Sequence, residues 1–246
     1  MIQIYPDLEA LSRAAAALFA QQAVQARGRF SVAISGGRTP ERTYQLLAQP
    51  PVRDQVPWEK VHVFWGDERC VPPDDPRSNE RMARRALLDH VPIPQKQIYP
   101  IHCAGDPQQA AERYEELLRA FFQGQPPGFD LVFLGLGENG HTASLFPGTP
   151  VLEGETPWAA SVHLAEQDLD RVTLTAPLLN QAAVVAFLVA GTAKAQVLRE
   201  VLEGPRDPRR LPAQLIRPTS GKLLWLVDGK ASVQLKEIDF YGRGEG

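Results

Sequence analysis

Residues 30–40 read FSVAISGGRTP, and this stretch predicts a strand, a glycine loop and a helix in direct succession. FSVAI at 30–34 is a short apolar run typical of a buried strand. Ser35-Gly36-Gly37 ends it, and Thr39 is predicted to cap the following helix. Pro40 then falls in the first helical turn, where its missing N–H costs nothing. A strand that leads straight into a helix favours an α/β protein.

The same alternation continues on both sides of this stretch. Further strands are predicted at 61–65, 129–134, 171–175, 184–190 and 223–227, and helices at 7–26, 78–90, 106–122 and 192–202. Polar and apolar residues alternate in the 171–175 segment, which indicates an edge or half-buried strand. The whole pattern predicts a Rossmann-like α/β fold, a mostly parallel sheet with helices on both faces.

Length and composition predict a soluble protein without a polyanionic partner. The chain has 246 residues, 43% of them apolar, and no linker-like stretch divides it, so we expect residues 1–246 to form a single domain. A net charge of −3 argues against general affinity for nucleic acid or an anionic membrane. The longest apolar run, around 182–190, is too short to span a bilayer. Any bound anion must therefore be held by a local cluster of donors.

The cysteines and histidines predict neither a disulfide framework nor a zinc site. Cys70 and Cys103 lie far apart with no CxxC motif, and the opening MIQIYPDLEA lacks the features of a signal peptide. We therefore expect a cytoplasmic protein. The five histidines form no HExxH motif and lie near no cysteine pair, so no metal is expected.

Three unusual loops each follow a predicted strand, so they should meet at the carboxyl edge of the sheet. They are SGGRTP at 35–40, GDER at 66–69 and GLGENGH at 135–141. In the first loop the glycines allow close approach of a ligand, and the next helix directs free N–H groups at the same point. This predicts an anion cradle, although not a P-loop, since GKS or GKT is absent. An ordinary turn before a capped helix is the alternative.

Charged residues in the other loops are candidates for the same site. We expect Asp67 and Arg69 to be functional and Glu68 to be structural, with a local salt bridge as the alternative. Lys194, in GTAK at 191–194, opposes a helix dipole unless it shares an anion with that helix, and a solvated lysine is the alternative. Arg171 opens a strand and is interpreted as a second phosphate clamp or an exposed strand residue.

Residues 135–140, GLGENG, match the GxGxxG pattern of dinucleotide-binding proteins, but we reject that interpretation. The fingerprint needs a long helix directly after the glycines, and Pro147-Gly148 allows at most a short turn. The loop leads instead to His141, whose imidazole is suited to general-base catalysis near neutral pH. A structural histidine bonded within a turn is the alternative.

Together these loops resemble the 6-phosphogluconolactonase family, which belongs to a wider sugar-phosphate isomerase-like α/β group. The resemblance covers nearly the whole chain, and GHTASLFPG after a strand is its most specific part. The matching segments are ISGGRTP at 34–40, FWGDERCVPPDDPRSN at 64–79, FDLVFLGLGENGHTASLFPG at 129–148, RVTLT at 171–175, GTAK at 191–194 and LPAQLIRPTSGKLLWLVD at 211–228.

The resemblance implies hydrolysis of 6-phospho-D-glucono-1,5-lactone to 6-phospho-D-gluconate, the second step of the oxidative pentose phosphate pathway. It implies no metal or organic cofactor. We expect a small sugar phosphate as the partner, and a monomer or small homo-oligomer. His141 takes the position of the family's catalytic histidine. The positions that hold phosphate and substrate are Ser35, Gly36, Gly37, Arg38, Thr39, Arg69 and Lys194.

One departure from the family concerns the residue before the Gly-His pair. Many relatives have an aspartate there, and this chain has Asn139. Asparagine can hold a substrate hydroxyl or orient the loop, but it cannot supply the negative charge that raises the basicity of His141. Asp67 therefore becomes the favoured acidic catalytic partner of His141.

Two other functions fit parts of the sequence. A glucosamine-6-phosphate deaminase shares this scaffold, but such enzymes resemble GHIAFNEPG at this loop, with a glutamate where this chain has Phe146, which cannot transfer a proton. A non-catalytic sugar-phosphate sensor would need the cradle but not His141 with Asp67. It would usually carry a partner-binding or DNA-binding element, and the sequence shows no such element.

Overall fold

A computed structural model of the protein describes residues 1–103, 105–153 and 157–236. These residues contain ten strands in two sheets. In chain order the strands are β1 (Ile2–Tyr5), β2 (Phe30–Ile34), β3 (Val61–Trp65), β4 (Asp67–Arg69), β5 (Ile98–Tyr99), β6 (Leu131–Leu134), β7 (Ala159–Leu164), β8 (Leu169–Leu174), β9 (Val184–Val189) and β10 (Lys222–Asp228).

Seven of these strands form a parallel sheet in the order β1-β10-β9-β6-β2-β3-β5. Every residue of β2, β6 and β9 is buried, because both faces of the sheet are covered. The predicted mostly parallel α/β fold is confirmed. Strands β1, β5 and β7, which are short or only partly buried, were not predicted from the sequence.

The covering helices are capped largely as their sequences indicate. They are α1 (Leu8–Gln25), α2 (Arg38–Leu47), α3 (Val52–Gln55), α4 (Asn79–Ala86), α5 (Pro107–Phe122), α6 (Ala176–Leu179) and α7 (Ala195–Glu203). Asp7, Ser78 and Asp106 accept backbone N–H groups at the starts of α1, α4 and α5. The helix predicted at 78–90 ends as an α-helix at Ala86 and continues as the separate 3₁₀ turn Leu88–His90.

A second, antiparallel sheet in the order β4-β8-β7 corrects two predictions. GDER was expected to be a loop, but Asp67–Arg69 pairs with β8. The 171–175 segment was expected to be an edge or half-buried strand, but β8 lies between two strands, and its last four residues are buried. Local alternation could not indicate this, because the burial of its polar residues comes from segments distant in the chain.

The expectation that the two cysteines form no disulfide was wrong. Cys70, directly after β4, and Cys103, after β5, form a disulfide with their Cα atoms 4.9 Å apart. Their separation of 33 residues gave no local signal, and only the approach of the two segments in the fold brings them together. Within the described part of the chain, no helix combines the length and hydropathy that crossing a bilayer requires.

The strand order places a crevice between β2 and β6. From β2 the chain builds outward through β3 and β5, and it then returns to the other side of β2 with β6 and continues through β9 and β10. Ligands of open parallel sheets bind at such a reversal, outside the carboxyl ends of the strands. The glycine loops after β2 and β6 flank this crevice.

Candidate active site

A cavity of about 850 Å³ lies at this crevice, and it brings together the residues singled out in the sequence. All those predicted to be catalytic or to bind substrate line it. They are Ser35, Gly36, Gly37, Arg38, Thr39, Asp67, Arg69, Asn139, His141, Arg171 and Lys194. They come from the ends of parallel strands and from the antiparallel strands β4 and β8, so both sheets contribute to the site.

The glycine loop leaves the first turn of α2 open toward the cavity. The N-cap is Gly37, at φ +108°, and no side chain caps the helix, so the predicted cap by Thr39 was wrong. A φ in this range favours glycine. The hydroxyl of Ser35 is buried without a hydrogen-bond partner in the described structure. Open N–H groups and a free hydroxyl at a helix N-terminus suit an anion.

Gly36 has a different role from Gly37. A Cβ at Gly36 would overlap the side chain of Asn79, so glycine is needed for packing. Asn79 in turn donates through Nδ2 to the backbone oxygen of Asp67 at 2.9 Å and to its Oδ1 at 3.3 Å. The glycine loop and β4 are thereby held together through one buried amide.

Asp67 is buried and held from several directions. Its Oδ2 accepts a hydrogen bond from Ser144 Oγ at 2.6 Å and lies 3.9 Å from Nη1 of Arg171. Together with Asn79, these contacts fix the carboxylate without any hydrogen bond to His141. Asp67 therefore places a negative charge near the site rather than acting as the direct partner of the imidazole.

Glu68 faces away from the cavity and caps α4, in line with its predicted structural role. Its carboxylate accepts the backbone N–H groups of Asn79 and Glu80, both at 2.7 Å, and of Arg69 at 2.8 Å. Burial raises the pKa of Glu68, and these backbone hydrogen bonds oppose that rise. The result is a rigid junction between β4 and α4 that sets the position of Arg69.

Five cationic residues line the cavity: Arg38, Arg69, Arg171, Lys194 and Lys230. Arg69 and Arg171 are direct partners in the β4–β8 register, so they extend from the same face of the sheet. Like charges placed opposite each other destabilise a sheet, and the buried Nε atoms of both have no partner in the described structure. Lys194 Nζ lies 3.7 Å from the exposed carboxylate of Glu138. An anion bound between Arg69, Arg171 and Lys194 would interact favourably with all three side chains.

The imidazole of His141 sits in a slot made by its own loop. A Cβ on Gly137 would overlap the ring, so the second glycine of GLG makes room for histidine rather than for a dinucleotide. Asn139 Oδ1 lies 2.5 Å from Nδ1 of His141 and also accepts its backbone N–H at 3.3 Å. Because a backbone N–H only donates, the contacting amide atom is oxygen. Nδ1 therefore carries the proton, and Nε2 is the nitrogen free to act as a base.

The surroundings keep this imidazole uncharged. The pKa of His141 is lowered to about 4, and burial is the largest cause. Within that net shift Asp67 raises the pKa, while Arg171, Lys194 and Arg69 contribute to lowering it. At neutral pH the ring is neutral and can accept a proton.

Three positioning residues were not identified from the sequence alone: Asn79, Ser144 and Asp228. Ser144 holds Asp67 although the two are 77 residues apart. Asp228, at the end of β10, accepts the N–H of Gly191 at 3.0 Å and of Ala231 at 2.7 Å, which positions the loop that carries Lys194. An acidic residue at the end of an apolar strand could have identified Asp228, because the same pattern had identified Asp67. In the described residues no cluster of three or more His, Cys, Asp or Glu side chains could hold a metal ion.

Comparison with known proteins identifies the family of this chain. Residues 6–225 match the model of the family Glucosamine-6-phosphate isomerases/6-phosphogluconolactonase. This chain is a member of that family. The 6-phosphogluconolactonase of Synechocystis sp. is 47% identical over 220 residues, which cover 87% of this chain and 88% of that protein. The family resemblance seen in the sequence is confirmed, together with the class of enzyme that it implied.

Solved structures extend the family likeness to the fold. The 6-phosphogluconolactonase from Trypanosoma cruzi superposes with a TM-score of 0.81 at 26% identity and covers 94% of each chain. A monomeric glucosamine-6-phosphate deaminase has a TM-score of 0.82 at 22% identity and covers 95% of this chain and 99% of its own. At that identity the deaminase shows a shared fold alone, so the choice between the family's reactions depends on the residues of the site.

Proposed function

We propose that this protein hydrolyses 6-phospho-D-glucono-1,5-lactone to 6-phospho-D-gluconate, the second step of the oxidative pentose phosphate pathway. The observation that carries the proposal is the pairing of Nδ1 of His141 with Asn139 inside a cavity lined by cationic side chains, among them Arg69, Arg171 and Lys194. It combines a neutral base with a place for a phosphate. The relatives named as 6-phosphogluconolactonases support the same reaction.

The phosphate of the substrate is proposed to bind between the cations and the glycine loop. Arg69 and Arg171 offer guanidinium donors, Lys194 adds a point charge, and the first turn of α2 offers N–H groups. Ser35, Gly36 and Gly37 form the loop that leads into this turn, and Arg38 and Thr39 lie in the turn itself. Binding energy from the remote phosphate then orients the lactone for reaction.

His141 is proposed to act as a general base on water. Nε2 removes a proton from a water molecule as its oxygen attacks the lactone carbonyl carbon, which gives a tetrahedral oxyanion. Backbone N–H groups or Arg69 stabilise the oxyanion. The carbonyl re-forms as the bond to the ring oxygen breaks, and His141 returns its proton to that oxygen. General-base assistance contributes typically ~10²–10⁴-fold to rate.

We propose that Asn139 and Asp67 together take the role that a single acidic partner of His141 would have. Asn139 fixes the tautomer and orientation of His141 through its amide oxygen. Asp67 acts through charge, since it favours the imidazolium that forms during the reaction without contacting the ring. The negative charge of Asp67 also offsets the positive charge of Arg171, which limits how far the nearby cations disfavour the protonated form of His141.

The test is a lactone-hydrolysis assay with spontaneous hydrolysis subtracted. His141→Ala should lower kcat by roughly 10²–10⁴-fold, since it removes the general base. It should leave the affinity for 6-phosphogluconate nearly unchanged, as measured by calorimetry. His163→Ala, an exposed histidine of β7 outside the cavity lining, is the matched control and should retain full turnover. Wild-type turnover in His141→Ala would contradict the assignment.

The deaminase reaction is expected to be absent. Phe146 occupies the position at which the deaminase-like motif has a glutamate, and its buried phenyl ring has no proton to transfer. Incubation with glucosamine 6-phosphate should therefore release no ammonia above the no-enzyme level. Catalytic ammonia release would instead favour the deaminase function.

A further inference from the structure

The imidazole of His141 stacks on the phenyl ring of Phe146. The ring centroids are 4.0 Å apart, and the planes differ by 19°. Phe146 lies only five residues after His141, in a loop, yet it is only 7% exposed. A side chain this well buried in a loop requires support from elsewhere in the fold.

That support comes from the second sheet. Phe146 does not belong to the main hydrophobic core but packs in a separate cluster with Val162 and Leu164 of β7, with Val151 against it. The guanidinium carbon of Arg171, on the adjacent β8, lies 5.2 Å from the centroid of the same phenyl ring. A cation at this distance over an aromatic face is attracted to it. The phenyl ring therefore contacts both the imidazole and one of the cations of the site.

The remaining contacts of the imidazole show what the phenyl ring adds. Asn139 holds Nδ1, and the backbone of Gly137 lies against the ring atoms. A single hydrogen bond to Nδ1 leaves the ring free to tilt about it, whereas a flat aromatic surface sets the plane of the ring. The same surface covers a face of the imidazole that water would otherwise reach.

We propose that Phe146 is a positioning residue of this enzyme, whose phenyl face fixes the plane of the His141 imidazole and keeps water from it. This inference rests on the proposed role of His141 as the general base. Phe146 has no titratable group, so it acts only through packing and exclusion of water. The loop sequence HTASLF thus carries the base and its supporting surface together, and β7 holds that surface in place.

The effect of Phe146 on His141 can be separated from the effect of the charged residues around the ring. Asp67 and Arg69 face the ring from β4, Arg171 from β8, and Lys194 from the turn before α7. Replacing Phe146 changes none of these charges. Burial is the largest cause that lowers the pKa of His141, so uncovering the ring should raise that pKa from about 4 toward its ordinary value of 6.5.

The central experiment compares Phe146→Leu with Phe146→Tyr. Leucine keeps the site apolar but removes the flat face, and tyrosine restores it. We expect Phe146→Leu to lower kcat by roughly 10- to 100-fold with little change in KM, because a misplaced group can cost about 10²-fold. The acid limb of its kcat/KM profile should rise by about one pH unit or more. Phe146→Tyr should restore both values toward wild type.

Phe187→Leu is the matched control. Phe187 stacks on Trp225, with centroids 3.9 Å apart, and it does not line the cavity. This control should lower thermal stability without moving the acid limb. An equal shift in Phe187→Leu would mean that general destabilisation explains the result, and the proposal would be overturned. Should Phe146→Leu not fold, Phe146→Met fills the space without a flat face and makes the same comparison.

NMR titration of His141 separates this inference from the proposed function. The His141 resonances are identified by their absence in His141→Ala, and their pKa is read directly, without turnover. A higher pKa of His141 in Phe146→Leu supports the positioning role even if His141→Ala keeps full lactonase activity, in which case only the proposed function fails. An unchanged His141 pKa and an unchanged kcat in a folded Phe146→Leu protein would overturn the inference.

Discussion

The amide of Asn139 shows at the residue scale how an uncharged side chain can prepare a base. Its oxygen accepts both the backbone N–H and Nδ1–H of His141, so it selects the tautomer with a free Nε2. A carboxylate at this position would do the same but would also stabilise the imidazolium. In this chain the negative charge comes from Asp67, which other side chains hold away from the ring.

The charge difference between asparagine and aspartate leads to a prediction about pH. The base must be neutral, so activity is present above the pKa of His141 and is lost as pH falls through it, near pH 4. Asn139→Asp places a negative charge beside Nδ1 and should raise this pKa, which moves the acid limb of kcat/KM upward by about one to three pH units. Steady-state rates between pH 3.5 and 8, with the spontaneous rate subtracted, would measure this.

Asn139→Ala is the control for this prediction, because it removes the acceptor without adding charge. It should reduce kcat, since the imidazole loses its preferred tautomer, but it should not move the acid limb upward as the aspartate does. An acid limb in Asn139→Asp that coincides with wild type would show that Asn139 does not face the titrating base.

Short connections between elements position the charged groups of the site. Glu68 joins β4 to the start of α4, and Asp228 at the end of β10 holds the loop before α7. In each case a buried carboxylate accepts backbone N–H groups from another segment. Such charge-assisted bonds are stronger than neutral ones. The positions of Arg69 and of the loop that carries Lys194 therefore depend on these two carboxylates.

Replacing Asp228 should weaken substrate binding. Asp228→Ala leaves the N–H groups of Gly191 and Ala231 without their acceptor and should loosen the loop that presents Lys194. Hydrogen bonds to charged groups contribute about 1.5–3 kcal/mol, so we expect KM for the lactone to rise by roughly tenfold or more. Substrate-saturation kinetics test this.

Asp207→Ala is the matched control, because Asp207 accepts the N–H of Arg210 in an exposed turn. It should leave KM unchanged. A KM in Asp228→Ala equal to that of the control would exclude a role for Asp228 in substrate binding.

Across the whole molecule, a parallel sheet and an antiparallel sheet meet at the site. The parallel sheet supplies the glycine loops at its carboxyl edge, and the antiparallel sheet supplies Arg69, Arg171 and the support for Phe146. The disulfide between Cys70 and Cys103 links the end of β4 to the segment after β5. It therefore ties the two sheets together close to Arg69.

The disulfide predicts that reductant weakens the fold. Its cysteines are 33 residues apart, and closing a loop of this size in the unfolded chain corresponds to about 4 kcal/mol in the chain-entropy model. Urea unfolding with and without reductant should show a difference of this order. The double variant Cys70→Ala/Cys103→Ala should not respond to reductant. Identical unfolding of the oxidised and reduced wild-type protein would contradict the prediction.

A further prediction concerns cooperativity. We propose that residues 1–246 form a single domain, because the site draws on both sheets and no linker-like stretch divides the chain. Calorimetric unfolding should show one transition, with equal calorimetric and van't Hoff enthalpies. Two resolved transitions would indicate two domains.

Much of the fold and the site could be predicted from the order of residues. Helices such as Leu8–Gln25, buried strands such as Phe30–Ile34, and loops after strands are encoded within a few neighbouring positions. The rule that parallel strands end at one edge then brought the glycine loops and His141 together. The family resemblance was likewise visible, since its motifs are contiguous.

Only the tertiary structure decided which residue pairs with which. The antiparallel sheet, the disulfide, the hold of Ser144 on Asp67 and the support of Phe146 by β7 all join residues from separate segments of the chain. It also assigned the His141 contact to Asn139 rather than Asp67, a difference set by side-chain direction. Local patterns report backbone preference and burial, whereas these contacts depend on how distant segments pack in three dimensions.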